Sequence, residues 1–147
     1  MKIAISSDHR GYTLKKYIIE VFASEKFEFL DLGTHGKESV DYPDYGIAAA
    51  EAVSTGECSM GIVICSTGIG ISIAANKVKG IRAAHCTDPF SARMARRHNN
   101  ANILALGADI TGTAIAEETV LNFLTGEFEG GRHQRRIDKI TAYEEKY

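Results

Sequence analysis

This chain has little that would suit it to a membrane, a nucleic acid or an oxidising compartment. No apolar run approaches the ~20 residues needed to span a bilayer. Lys and Arg number 17 against 19 Asp and Glu, a net charge of −2. No overall basic character therefore recommends a nucleic-acid or membrane partner, and any anion site must be local. Cysteine is sparse: Cys58, Cys65 and Cys86 are an odd set without a CxxC pair. That usage gives neither a disulfide framework nor zinc-ligand spacing, so no metal is expected and a reducing, cytoplasmic location is. Internal repeats, linkers and low-complexity tracts are also missing. The first residues, Met1 to Ser6, read as a strand and not as a secretory apolar segment.

What is present suits one globular α/β domain over residues 1–147, with 44% hydrophobic and 24% charged residues. Short apolar strands are predicted at 2–6, 27–32, 60–64, 81–86 and 102–106, the pattern of strands covered on both faces. Between the first two, Leu14, Tyr17, Ile18, Val21 and Phe22 form one helical stripe. Tyr45, Ala49, Ala52 and Val53 do so before the third strand. A helix is predicted near 70–77, another from Asp88, and Ala116, Val120, Phe123 and Leu124 mark one after the fifth strand. Such alternation implies a parallel sheet with right-handed crossovers, although the pattern leaves strand order open. The turn Gly126-Glu127-Phe128-Glu129-Gly130-Gly131 separates a C-terminal arm, about 132–147, with a short polar helix predicted from about Arg135 to Tyr147.

Ligands of open parallel sheets bind beyond the carboxyl ends of the strands, where the polar residues of this chain concentrate. The sharpest feature is the loop Cys65-Ser66-Thr67-Gly68-Ile69-Gly70-Ile71-Ser72. Its glycines let the backbone turn tightly, and the following helix aims free N–H groups at the loop. That field can hold an oxyanion and favours thiolate over thiol at Cys65. A thiolate there can take a proton from carbon if an enediolate is stabilised beside it. The other reading of Cys65 is a small buried hydrophobe. Gly68-Ile69-Gly70, with Asp88 twenty residues beyond Gly68, also permits a dinucleotide-binding reading, but Ile73 stands at the third glycine position and the strand is not the first. Asp8-His9 is either a helix cap or a pair of ligand groups. Tyr42-Pro43-Asp44 is assigned to the long loop after strand two, as a packed turn or a sugar contact. Arg93, Arg96, Arg97 and His98 form a charge run that reads as a solvated helix face. Arg132, His133, Arg135 and Arg136, after a double glycine, suit a phosphate. His85 and His35 read as structural or surface residues.

Taken together, Ser7-Asp8-His9-Arg10-Gly11, Asp41-Tyr42-Pro43-Asp44, the string from Cys65 to Lys77, His98-Asn99-Asn100-Ala101-Asn102, and Gly130-Gly131-Arg132-His133 with Arg136 resemble ribose-5-phosphate isomerase type B. That family also includes the subunits of galactose-6-phosphate isomerase. The resemblance runs nearly end to end. It implies a three-layer α/β/α sandwich, Rossmann-like, around a five-stranded parallel sheet. It also implies a metal-free, cofactor-free interconversion of ribose 5-phosphate and ribulose 5-phosphate, a step of the pentose phosphate pathway. On this resemblance Cys65 shuttles the proton between C2 and C1, and Thr67 assists proton movement between the two oxygens. Amides of the 66–72 loop, from Ser66 through Gly68 and Gly70 to Ser72, stabilise the enediolate. His98, with Asp8, opens the furanose ring. Asn99 and Tyr42 contact sugar hydroxyls, and His9, Arg132 and Arg136 hold the phosphate.

The chain departs from the family pattern in three places. Asp109 stands where an Arg is common, Arg10 stands at a usually small or apolar position, and Ser66 replaces a commoner Gly. Arg10 is expected to supply the positive charge missing at 109. The alternative substrates are allose 6-phosphate and galactose 6-phosphate; the alternative of another class is a nucleotide-binding module. Geometry adds an expectation about assembly. About ten helical residues at ~1.5 Å each carry His98 roughly 15 Å from the carboxyl edge. If Cys65 and His98 act on one sugar, they come from different chains, in a homodimer with composite active sites or a tetramer built from such dimers.

Overall fold

The computed structural model describes residues 1–147. Its elements run β1 (Lys2–Ser7), α1 (Tyr12–Phe22), β2 (Glu28–Asp31), α2 (Tyr42–Ser54), β3 (Met60–Cys65), α3 (Ile69–Ala75), β4 (Ala83–His85), α4 (Pro89–Asn99), β5 (Ile103–Gly107), α5 (Thr113–Thr125) and α6 (Arg132–Glu144). All strands are parallel, in the order β2-β1-β3-β5-β4. The expected fold class, a five-stranded parallel sheet between two helical layers, is the one observed.

Side-chain alternation along the strands sorts the interior into two cores. Ile3, Ile5, Ile62, Ile64, Leu104 and Leu106 face α1, α4 and α5. Ala4, Val63, Cys65, Ile103 and Ala105 face α2 and α3. Every residue of β3, the central strand, is buried, which is why its sequence reads as an unbroken apolar run. No helix is long and apolar enough to cross a membrane.

Several local expectations are corrected. Tyr42-Pro43-Asp44 is not loop but the first turn of α2, with Pro43 in the opening helical positions and Asp44 in the first turn, where a fixed φ and a negative charge are both favourable. α6 begins at Arg132, three residues earlier than read. Val21, assigned to the apolar stripe of α1, is 41% exposed, whereas Lys15 has no exposed surface. The Lys15 Nζ is held by Asp31 Oδ1 and by the carbonyl of Thr34, both at 2.6 Å. Arg96 leaves the solvated face on which it was placed: it is buried and its Nη1 donates to Ala101 O at 2.6 Å and Asn100 Oδ1 at 3.0 Å. It thereby closes the carboxyl end of α4, where Asn100 adopts the left-handed conformation that commonly ends a helix.

Candidate active site

Because β1 and β3 are neighbours and their following helices leave to opposite faces, a crevice opens between the carboxyl ends of these strands. This is the switch point at which parallel sheets bind ligands. The ladder fixes what meets there. Ser7 lies opposite Ile64 and Cys65 opposite Gly107, and the Asp8 amide donates to Ile64 O at 3.1 Å. Asp8 and Cys65 thus stand side by side at the sheet edge, both buried.

The glycine loop wraps the sulfur. The Gly68 N–H donates to Cys65 Sγ at 3.1 Å, and the Ile69 N–H donates to Thr67 Oγ1 at 3.2 Å. Gly68 sits at φ +80°, and a Cβ there would meet His85 Cδ2 at 2.7 Å and the Leu106 carbonyl carbon at 2.8 Å; only glycine fits both the dihedral and the space. The ring of His85, read from sequence as structural or surface, therefore lies against this loop. A Cβ on Gly70 would meet Tyr42 Cζ at 2.6 Å, so Tyr42 packs directly on the loop. The first-turn amides of α3 have no earlier helical carbonyl to bond. Ser72 is buried, its N–H donates to Gly68 O at 3.3 Å and its hydroxyl to Ile69 O at 2.8 Å, so both of its donors are spent within the turn. The other two cysteines lack such surroundings. Burial pushes the Cys86 thiol up to about 11, with Asp88 adding to it, and burial likewise raises Cys58.

On the β1 side, Asp8 Oδ1 accepts from the amides of Arg10 and Gly11 at 2.9 and 3.1 Å. Asp8 thus braces the turn ahead of α1 and does not cap the helix, whose N-cap is Gly11 without a side-chain bond. His9 Nδ1 accepts from the Val40 N–H at 3.2 Å, which leaves Nε2 as its free donor. The expectation that Arg10 offers an unpaired positive charge is corrected: its Nη2 and Nε donate to Asp109 Oδ2 at 2.7 and 3.1 Å. Ser66 Oγ donates to the same oxygen at 2.6 Å. The three departures from the family pattern are thus partners of one another. The bond from Ser66, then that from Arg10, holds the Asp109 carboxyl below its usual range.

The remaining candidates lie elsewhere. Asp8 and His98 are not together within one chain. His98 and Asn99 end α4, which returns the chain to the amino end of β5 at Ile103. β5 then climbs four residues, roughly 13 Å, to Gly107 beside Cys65. Around His98 a second polar group gathers. His98 and His133 stack with ring centroids 4.3 Å apart and 9° between planes. Both present Nε2 to Glu129 Oε2, at 3.9 and 3.4 Å respectively. Arg132 and Arg136 are exposed one helical turn apart on α6. His133 was grouped with the phosphate-binding arginines but is buried against His98. Glu129 was read only as part of a turn; its spacing of four from His133 was the available signal.

The donor atoms of His98, Glu129 and His133 lie within 4.8 Å of one another, so the trio is the place to ask about a metal. Imidazole lone pairs lie in the ring plane, and in nearly parallel stacked planes they do not converge on one ion. The arrangement suits proton sharing better than coordination. The dinucleotide reading also loses its acidic residue. Asp88 caps α4, accepting from the Ser91 N–H and hydroxyl, each at 2.7 Å.

Comparison with known proteins agrees with this arrangement. The sequence matches the family described as Ribose/Galactose Isomerase over residues 3–140. Ribose-5-phosphate isomerase B of Escherichia coli (strain K12) is 46% identical over 145 residues, covering 99% of this chain and 97% of that protein. The structure of Clostridium thermocellum ribose-5-phosphate isomerase B superposes with a TM-score of 0.98 at 58% identity, covering 100% and 99% of the two chains. That of the Mycoplasma genitalium ribose-5-phosphate isomerase B with bound ribulose-5-phosphate does so at 0.94 and 44%, covering 99% and 97%. A glycine-bound thiol at the switch point, and matches that span the chain from end to end, place this protein in the ribose/galactose isomerase family.

Proposed function

We propose that this isomerase interconverts ribose 5-phosphate and ribulose 5-phosphate through an enediolate, with Cys65 as the base. The observation that carries the reading is the Cys65 sulfur at the β3 end, buried and bonded by the Gly68 amide. The relatives named for this reaction, one of them with ribulose-5-phosphate bound, support it.

The chemistry follows from the groups at the edge. In the open-chain aldose the thiolate takes the C2 proton; the electron pair forms C1=C2 and leaves the negative charge on O1, which then receives the O2 proton. The Gly70 and Ile71 amides in the first turn of α3, with that of Ser66, offset the charge on the enediolate oxygens. Thr67 hands a proton between O1 and O2. As C2=O forms, Cys65 returns its proton to C1. His9, Arg132 and Arg136 bind the phosphate, and Tyr42 and Asn99 bind hydroxyls. His98 and Asp8 open the furanose.

His98, Asn99, Arg132 and Arg136 reach that sulfur only from a second chain, so the active unit is a homodimer with composite sites. Apolar side chains support such an interface. Ile69 and Ile73 on α3 are 51% and 57% exposed beside the Cys65 loop; Ile140 and Tyr143 are 56% and 64% exposed on the helix that carries the arginines. The Arg10–Asp109–Ser66 bridge favours a second reading of the substrate. With Arg10 committed to Asp109, the anion site shifts toward Arg132 and Arg136, which leaves room for a six-carbon sugar such as allose or galactose 6-phosphate.

A panel of ribose, allose and galactose phosphates, run on wild type and Cys65→Ala, tests both readings. Ribose 5-phosphate turns over fastest, and Cys65→Ala lowers kcat by about 10²–10⁴-fold. Undiminished turnover in Cys65→Ala removes the sulfur from the mechanism; faster turnover of a hexose phosphate replaces the pentose.

A further inference from the structure

We propose that Glu129 is the positioning residue for ring opening: it holds the stacked His98–His133 pair so that His98 meets the furanose in one orientation. The inference rests on the proposed isomerase reading and extends it to a residue that touches no substrate atom.

Glu129 is fixed to α4 twice. Its N–H donates to Arg97 O at 3.0 Å, and its Oε1 accepts from Arg97 Nε at 2.6 Å. Oε2 is left for the two imidazoles. This arrangement does three things. It turns Nε2 of both rings to one oxygen, which leaves Nδ1 as the His98 nitrogen not committed to the carboxylate. It holds the rings in a stack that can carry one proton, because a second would set like charges 4.3 Å apart. And it sets a carboxylate beside the buried His133 ring. Burial, then the charges of His98, Arg132 and Arg136, push His133 down against the opposing pull of Glu129. The buried His133 ring is thereby disfavoured as the protonated member of the stack. Burial pushes Glu129 up, but the Arg97 bond and the charges of Arg97, His98 and His133 outweigh it and keep it ionised. The charged groups facing the pair are thus Arg97 from α4, Arg132 and Arg136 from α6, and Glu129 itself.

Sugar chemistry separates this role from a structural one. Ribose 5-phosphate is mostly a closed furanose and needs opening. Ribulose 5-phosphate has its C5 oxygen blocked by phosphate, cannot close that ring, and presents its C1 hydrogens directly. Enolisation of the ketose, read as deuterium uptake at C1 in D₂O, needs Cys65 and its loop but no ring opening. In Glu129→Gln the full enzyme should lose on the order of 10-fold or more in kcat on ribose 5-phosphate, while C1 exchange of ribulose 5-phosphate stays within about 2-fold of wild type. Glu129→Asp should recover part of the aldose rate. Retained exchange also shows that the variant is folded and assembled. If both rates fall together, or the aldose rate does not fall, Glu129 has no positioning role. If wild type catalyses neither reaction, the isomerase reading fails first and this inference fails with it.

Discussion

At the scale of single residues, Lys15 shows how far local pattern can mislead. Lys15 and Lys16 are adjacent on α1, and nothing between Leu14 and Ile18 says which one turns inward. The answer lies in partners far along the chain, Asp31 and the Thr34 carbonyl. A charge with 0% exposure must be paired and hydrogen-bonded to be tolerated. Truncating it strands the Asp31 carboxylate and the Thr34 carbonyl together. Lys15→Ala should therefore lower unfolding free energy by about 3 kcal/mol, read as a fall in the urea midpoint at fixed protein concentration. An unshifted midpoint would mean that water replaces the ammonium without cost. The surroundings of Cys65 are legible where those of Lys15 are not, because the Gly68 amide that bonds its sulfur lies three residues on in sequence. Glu129 fell between the two cases. Its spacing from His133 was visible, but its link to His98 needed the turn that folds it onto Arg97.

At the scale of elements, segments with strong local signals were read nearly to the residue. β1, β3 and β5 are apolar runs bounded by polar loops, and α4 has Asp88 and Pro89 at its start and Asn100 at its end. β2 and β4, the edge strands, are shorter than predicted, since flanks such as Leu32 and Cys86 keep a single bond to the neighbouring strand without continuing the ladder. Tyr42-Pro43-Asp44 reads as loop in sequence because a proline marks a turn as readily as it opens a helix, and here it opens α2. The cap of α4 gives a pH prediction. The Ser91 N–H and then its hydroxyl hold the Asp88 carboxyl below its ordinary value. A depressed carboxylate stabilises the fold fully above its unfolded value of about 3.9 and loses that contribution as pH falls through the folded value. Asp88→Ala should lower Tm by roughly 2–4 °C at neutral pH. The gap from wild type should close as pH drops below about 4. A gap that is the same at pH 3 and pH 7 would show that the cap acts without its charge.

At the scale of the whole molecule, the domain gathers polar residues at opposite edges of one sheet. The carboxyl edge carries Asp8, His9, Cys65 and Thr67; the far edge carries His98, Asn99, Arg132 and Arg136. Helix length foretold that separation from sequence, since α4 must travel the depth of the sheet before β5 can start. Strand order was not foretold: the switch point between β1 and β3 depends on which strands pair, and periodicity carries no such information. The account stands on the two edges meeting across a two-fold axis, and mixing two inactive chains tests it. Cys65→Ala and His98→Asn proteins, each nearly inactive alone, are exchanged at equal amounts. Half of the dimers are then mixed, and each mixed dimer has one intact site of two. Activity on ribose 5-phosphate should rise to about one quarter of wild type. Exchange confirmed by mass, with activity no higher than that of the two parents, would contradict the shared site.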